Sequence, residues 1–181
     1  KVEVRKAISM SIDREAIVKT IFLGAQEPLR SFVSSVVPGH RPDTCGEPCQ
    51  FNPAKAKALF DSVNGRATVG GRIELAYNVD GGHKPWIDAA CNQIRQSLGV
   101  ECVGNPQPKF SELLTKVERK ERVGAFRFGW VFDYPAMENY LGPMYTTYGS
   151  SNYYGYANKR FDDAVAAGDR AASVEAAVTF Y

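Results

Sequence analysis

Asp133 is the side chain of this sequence best placed to do chemistry. It sits in the run GWVFDYPAMENYL, Gly129 to Leu141. An apolar stretch with the pattern of a buried strand, Phe126 to Phe132, carries Trp130 and then breaks at the acid and at Tyr134-Pro135. Ligands of open α/β sheets bind outside the carboxyl ends of strands, so a carboxylate at that point can meet a positive charge. A charge-assisted bond of this kind contributes roughly 1.5 to 3 kcal/mol when water is excluded. The plainer reading is an Asp that starts a turn by accepting from neighbouring backbone amides, and the two readings are compatible.

Other chemistry finds less support. The two histidines, His40 and His83, are isolated from each other, and Ser34-Ser35 and Ser150-Ser151 have no nearby His with an acid behind it. The glycines of VGGR and DGGH match neither a phosphate-cradling loop nor a dinucleotide fingerprint. DGGHKPW reads as a loop into a helix, with Asp80 or His83 as the cap. Catalysis is therefore the weaker class, and neither cofactor nor metal is expected. Between Tyr140 and Tyr156 stand six of the nine tyrosines, spaced by Ser, Asn and Gly. Such a segment can pack varied side chains through ring and hydroxyl, or simply cover the open edge of a sheet.

Four cysteines beside only two histidines suit disulfides better than a metal site. Cys45 and Cys49 flank Gly46 and Pro48, which favours a small closed loop between them. Cys91 lies about 12 Å before Gly99 along a predicted helix, and Cys102 about 10 Å beyond it along a strand. A strand doubling back under its helix brings the two level. Buried thiols are the dull alternative; disulfides place the chain outside the cytoplasm.

The elements that must carry these residues follow from periodicity. Apolar spacing predicts a helix over VEVRKAISMSI and another after Asp13, stopped at Gly24. Ala25 to Gln50 is a long proline-punctuated excursion, and Asn52-Pro53 open a third helix. NGRATVGGR reads as a mobile turn before a strand over RIELAYNVD. Further elements are a helix from about Lys84 to Leu98, a strand Val100 to Val103, a helix Ser111 to about Arg122, and the strand Phe126 to Phe132. The chain then runs irregularly to helices near Asn158 and Ser173. This alternation predicts one α/β layer with a mainly parallel sheet flanked by helices. A net charge of +2 on 22 basic and 20 acidic residues offers no basic stripe for nucleic acid, and no apolar run reaches the roughly 20 residues of a membrane helix. Lys1 opens directly on a helical pattern and SVEAAVTFY has no stop signal, so the 181 residues are expected to be a piece of something longer.

Several segments together resemble one family. VRKAISMSIDREAIVKTIFLGAQEPLRSFVSSVVPG, FNPAKAKALF, ELAYNVDGGHKPWIDAACNQIRQSLGVEC, GWVFDYPAMENYL and SSNYYGYANKRFDDAV look, in that order, like the second lobe of family 5 extracellular solute-binding proteins, the oligopeptide and dipeptide receptors of ABC importers. The resemblance implies that residues 1–181 form a single α/β lobe of a two-lobed, periplasmic-binding-protein-like receptor, with the other lobe and the hinge outside it. It implies an extracellular or periplasmic protein, lipid-anchored outside this stretch, that passes a peptide or similar solute to an ABC permease. Relatives carry oligosaccharides or metal chelates, and a hydrolytic domain is a more distant alternative. By the same resemblance Asp133 meets a ligand ammonium, Trp130 walls the cleft, Tyr134 is a further ligand-binding residue, and Asn152 and Tyr153 reach ligand backbone. Arg119, Arg122 and Arg127 are available for a ligand carboxylate, none in a matching motif.

Overall fold

The computed structural model describes residues 1–121 and 124–181. In chain order these form α1 (Val2–Met10), α2 (Arg14–Thr20), α3 (Pro53–Ser62), α4 (Gly65–Thr68), β1 (Arg72–Asn78), α5 (Lys84–Leu98), β2 (Glu101–Gln107), α6 (Phe110–Glu118), β3 (Ala125–Phe126), α7 (Glu138–Tyr145), α8 (Lys159–Asp169) and α9 (Val174–Ala177). Helix starts fall where small polar side chains can cap them. Asp13 accepts from the Ala16 amide, Asn52 from Lys55, Asn158 from Phe161 and Ser173 from Ala176. α5 ends at Gly99, whose φ of 66° is left-handed and whose amide caps Arg95.

Two compact units result, the first Lys1–Pro28 with Gly46–Phe128, the second Leu29–Cys45 with Gly129–Tyr181. The first unit holds a three-stranded sheet of order β2-β1-β3, parallel throughout. Its core forms where Val4, Ala7 and Met10 of α1, Ala56 and Phe60 of α3, and Cys91, Ile94 and Leu98 of α5 meet Ile73 and Cys102 of the sheet. Their spacings of three and four are the apolar stripes that periodicity predicts. Cys91 and Cys102 are bridged, with Cα atoms 5.0 Å apart, tying α5 to β2 as the helix-and-return geometry requires. Cys45 and Cys49 are likewise disulfide-bonded, and no described cysteine is free.

The second unit has its own apolar cluster. Val33 and Val37 of the proline-rich excursion are buried there with Met137, Tyr140 and Leu141 of the α7 segment and Val165 of α8. Those two valines anchor an otherwise irregular loop.

Several elements differ from the sequence expectation. β3 is only Ala125–Phe126, not Phe126 to Phe132. The alternating aromatics of that run part company: Phe126 and Phe128 meet edge to face in the first unit, whereas Trp130 and Phe132 pack against the second unit's cluster. Periodicity cannot separate a strand from an extended segment buried in this way. β2 runs to Gln107, beyond Val103, because an edge strand tolerates Pro106. α6 spans Phe110–Glu118, and the expected end near Arg122 lies outside the described residues. NGRATVGGR forms the helical turn α4 rather than only a loop. Gly142-Pro143 suggests irregular chain, yet α7 forms through them because Met137, Tyr140 and Leu141 share one buried face. Neither Asp80 nor His83 caps α5 through its side chain.

Replacing Cys91 and Cys102 together by alanine opens a loop with a sequence separation of 11. The expected loss is about 3 kcal/mol of unfolding free energy by urea titration of the oxidised chain.

Candidate functional site

In the first unit, β1 and β2 end in carboxamides that are almost fully buried: Asn78 is 4% exposed and Gln107 5%. Burial makes their partners obligatory. Asn78 Nδ2 donates to Asp80 Oδ1 at 2.7 Å, and its Oδ1 accepts from Arg127 Nη1 at 3.4 Å. Asp80 Oδ2 accepts the Phe110 amide at 3.3 Å, so the carboxylate links the β1 end to the start of α6. The bond from Asn78, helped by that amide, holds Asp80 below the usual carboxylate range.

Because β3 stops at Phe126, the residue just past its carboxyl end is Arg127, not Asp133. The Arg127 amide continues the ladder to Ala76 O at 2.7 Å, and its guanidinium lies 6.0 Å from the centre of the Phe110 ring. Burial lowers the guanidinium pKa, Asp80 opposing, but an arginine remains charged at any working pH. Its planar fork suits an anionic group, and it lines a cavity of about 350 Å³ with Arg14, Glu27, Trp86 and Phe126. Sequence reasoning counted it only among the available basic residues, with no motif to single it out.

In the second unit, Trp130 and Asp133 are brought together by a residue that sequence reasoning missed. Asn139, on α7 and 4% exposed, accepts the Trp130 indole N–H at 3.3 Å and the Asp133 amide at 3.0 Å on one oxygen. The Asp133 side chain is exposed, and among the described residues it accepts no hydrogen bond and forms no ion pair. Tyr134 donates to Glu138, which raises the Tyr134 phenol pKa. Asn152 and Tyr153 lie on a different loop of the same unit. Asn152 Nδ2 donates to Thr146 O at 2.9 Å and Tyr156 O at 2.6 Å, and its Oδ1 accepts the Tyr156 amide at 3.0 Å, which closes that loop on itself. Tyr153 is half-buried, its amide bonded to Ser151 O at 2.9 Å.

The tyrosine-rich segment lines an apolar hollow in this unit. Tyr145, Tyr154 and Tyr156 line a cavity of about 370 Å³ with Phe32, Leu141 and Phe161, and Arg41 is its cation. Tyr145 and Tyr154 stack with centroids 5.9 Å apart, and burial pushes both phenols above their usual range. Among the described residues no group of His, Cys, Asp and Glu could hold a metal ion, and no helix is long and apolar enough to cross a membrane.

Asn139→Ala leaves the Trp130 indole and the Asp133 amide without their acceptor. Stability should fall by about 1 to 3 kcal/mol on urea unfolding, and hydrogen exchange at those two N–H groups should accelerate selectively.

Residues 1–152 match the family described as bacterial extracellular solute-binding proteins, family 5. The oligopeptide-binding protein OppA of Bacillus subtilis is 27% identical over 166 residues, 88% of this chain and 30% of that protein. The periplasmic murein peptide-binding protein MppA of Escherichia coli is 25% identical over 172 residues, 90% of this chain. The chain thus spans 30% of the length of these curated relatives. The solved structure of Escherichia coli MppA aligns with a TM-score of 0.84 at 22% identity, over all of this chain and 36% of that one, which shows the fold. Haemophilus influenzae OppA, solved with the peptide RPPGFSPFR, aligns at 0.81 over all of this chain and 36% of that one, with 22% identity. With the family matched over residues 1 to 152, a parallel α/β sheet and this likeness of fold, the chain belongs to the family 5 bacterial extracellular solute-binding proteins.

Proposed function

We propose that this chain is one lobe of a two-lobed receptor that captures a peptide outside the cytoplasm and delivers it, chemically unchanged, to an ABC permease. Asp133 meets the α-ammonium group of the peptide. The observation that carries this reading is the unengaged carboxylate of Asp133, whose backbone is pinned by Asn139 while its side chain faces outward. A turn-starting Asp would bond nearby amides with that side chain; this one bonds none among the described residues. Trp130, fixed by the same Asn139 oxygen, gives the ligand a rigid wall, and Tyr134 extends it. Asn152 and Tyr153 are proposed to meet ligand backbone from their loop. Binding without chemistry needs no cofactor. The permease is the macromolecular partner, and any membrane anchor lies outside residues 1–181. Relatives named as oligopeptide-, dipeptide- and murein peptide-binding proteins support a peptide as ligand.

The test uses the full-length protein, refolded to strip bound ligand and screened by thermal shift against peptides, sugars and metal chelates. Ligand at 100 times its Kd adds about 2.7 kcal/mol of stability. Peptides should shift the wild type, and Asp133→Ala should weaken peptide binding by about tenfold or more. A shift by sugars or chelates that Asp133→Ala leaves intact contradicts the peptide assignment, and turnover of any of these compounds contradicts the transport reading. Residues 1–181 alone supply one wall of a cleft, so calorimetry should detect only weak peptide binding to them; micromolar affinity would make this lobe the whole receptor.

A further inference from the structure

The His83 imidazole sits at the carboxyl end of β1 among groups that fix which of its nitrogens can carry a proton. Its Nδ1 lies 3.2 Å from Trp86 Nε1, with the rings edge to face at 5.9 Å. An indole N–H can only donate, so Nδ1 accepts and the neutral ring carries its proton on Nε2. Nε2 lies over Gly81: a Cβ there would come within 2.4 Å of it, and Gly81 is what allows the ring its seat. The charged groups facing the ring are Asp80 from the turn after β1 and Arg127 from beyond β3. Lys84, the next residue along, pairs with Asp88. Trp86 is itself a wall of the cavity that Arg14, Phe126 and Arg127 line.

We propose that His83 is a proton-sensitive latch on Trp86: neutral, it holds the indole through Nδ1, and protonated, it releases the indole and turns toward Asp80. An imidazolium has two donors and no acceptor, so the Trp86 bond cannot survive protonation. The released indole alters the cavity wall, and the new positive charge stands beside Arg127. Asp80, which now accepts from Asn78 and the Phe110 amide, becomes a contested acceptor that couples the latch to the start of α6. Burial, then the Arg127 charge, place the folded-state His83 pKa below its ordinary 6.5, Asp80 opposing. The latch is therefore closed at neutral pH and opens as pH falls through that lowered value. Native stability follows the same sign: it is full above 6.5 and declines as pH falls below it, where the unfolded chain binds the proton first.

With two histidines and two tryptophans in the chain, the relevant signals separate readily by NMR. On acidification from neutral pH, the Trp86 indole N–H and the His83 ring should titrate together with a single midpoint below 6.5, while the Trp130 indole stays fixed. In His83→Gln the Trp86 signal should lose its pH dependence. In Trp86→Phe the His83 midpoint should rise, because the bond that favours the neutral ring is gone. The proposal is overturned by a Trp86 indole that does not move while His83 titrates. It is equally overturned by an indole that titrates unchanged in His83→Gln, or by a His83 midpoint that Trp86→Phe leaves where it was.

Discussion

A carboxamide withdrawn from water must find partners for both its ends or it costs stability, and that constraint organises each unit of this chain. In the first unit Asn78 stands at the end of the central strand and gathers Arg127 and Asp80. Asp80 in turn takes the first amide of α6. In the second unit Asn139 collects the Trp130 indole and the Asp133 amide on a single oxygen. Each buried amide fixes the backbone or side chains it bonds, and Asp133 and Trp130, proposed to meet the ligand, are among the residues so held. The arrangement places charge on rigid supports, which a binding site needs if the ligand is not to bear the ordering cost.

Covalent links extend the same logic. The Cys91–Cys102 bridge lies within the core of the first unit, both residues almost completely buried, and adds a covalent link to the apolar packing and the Arg95 bond to Cys102 O that already hold α5 on β2. Disulfides persist in oxidising surroundings, in keeping with a family of extracellular proteins. Salt bridges contribute little beside this. Lys57–Asp61, Lys84–Asp88 and Lys159–Asp163 are exposed pairs along helices, screened by solvent.

Much of the scaffold was legible because its signals are local. Asp13, Asn52, Asn158 and Ser173 announce helix starts through their own side chains, Gly99 a helix end through its φ, and the α5 stripe through spacing. The cysteine pair Cys91–Cys102 was reachable from two rises per residue. What escaped depends on long-range packing. Phe126 to Phe132 has the alternation of one strand, but its aromatics are divided between two units, and only two residues pair. That division moves the position at the strand end from Asp133 to Arg127. Asn139 carries no sequence signal, since a polar residue on a short helix announces nothing until its burial is known. His83 was read as a possible cap, whereas its ring bonds a residue one turn into the helix.

The central claim is that an unengaged carboxylate in this lobe reads the positive terminus of a peptide. Calorimetric titration of the full-length protein with one peptide in two forms, free and N-acetylated, addresses it most directly. Acetylation removes the ammonium charge and leaves the rest of the ligand in place. The account predicts that the acetylated peptide binds at least about tenfold more weakly, since the lost charge-assisted bond is not replaced. Equal affinity for the two forms would contradict it.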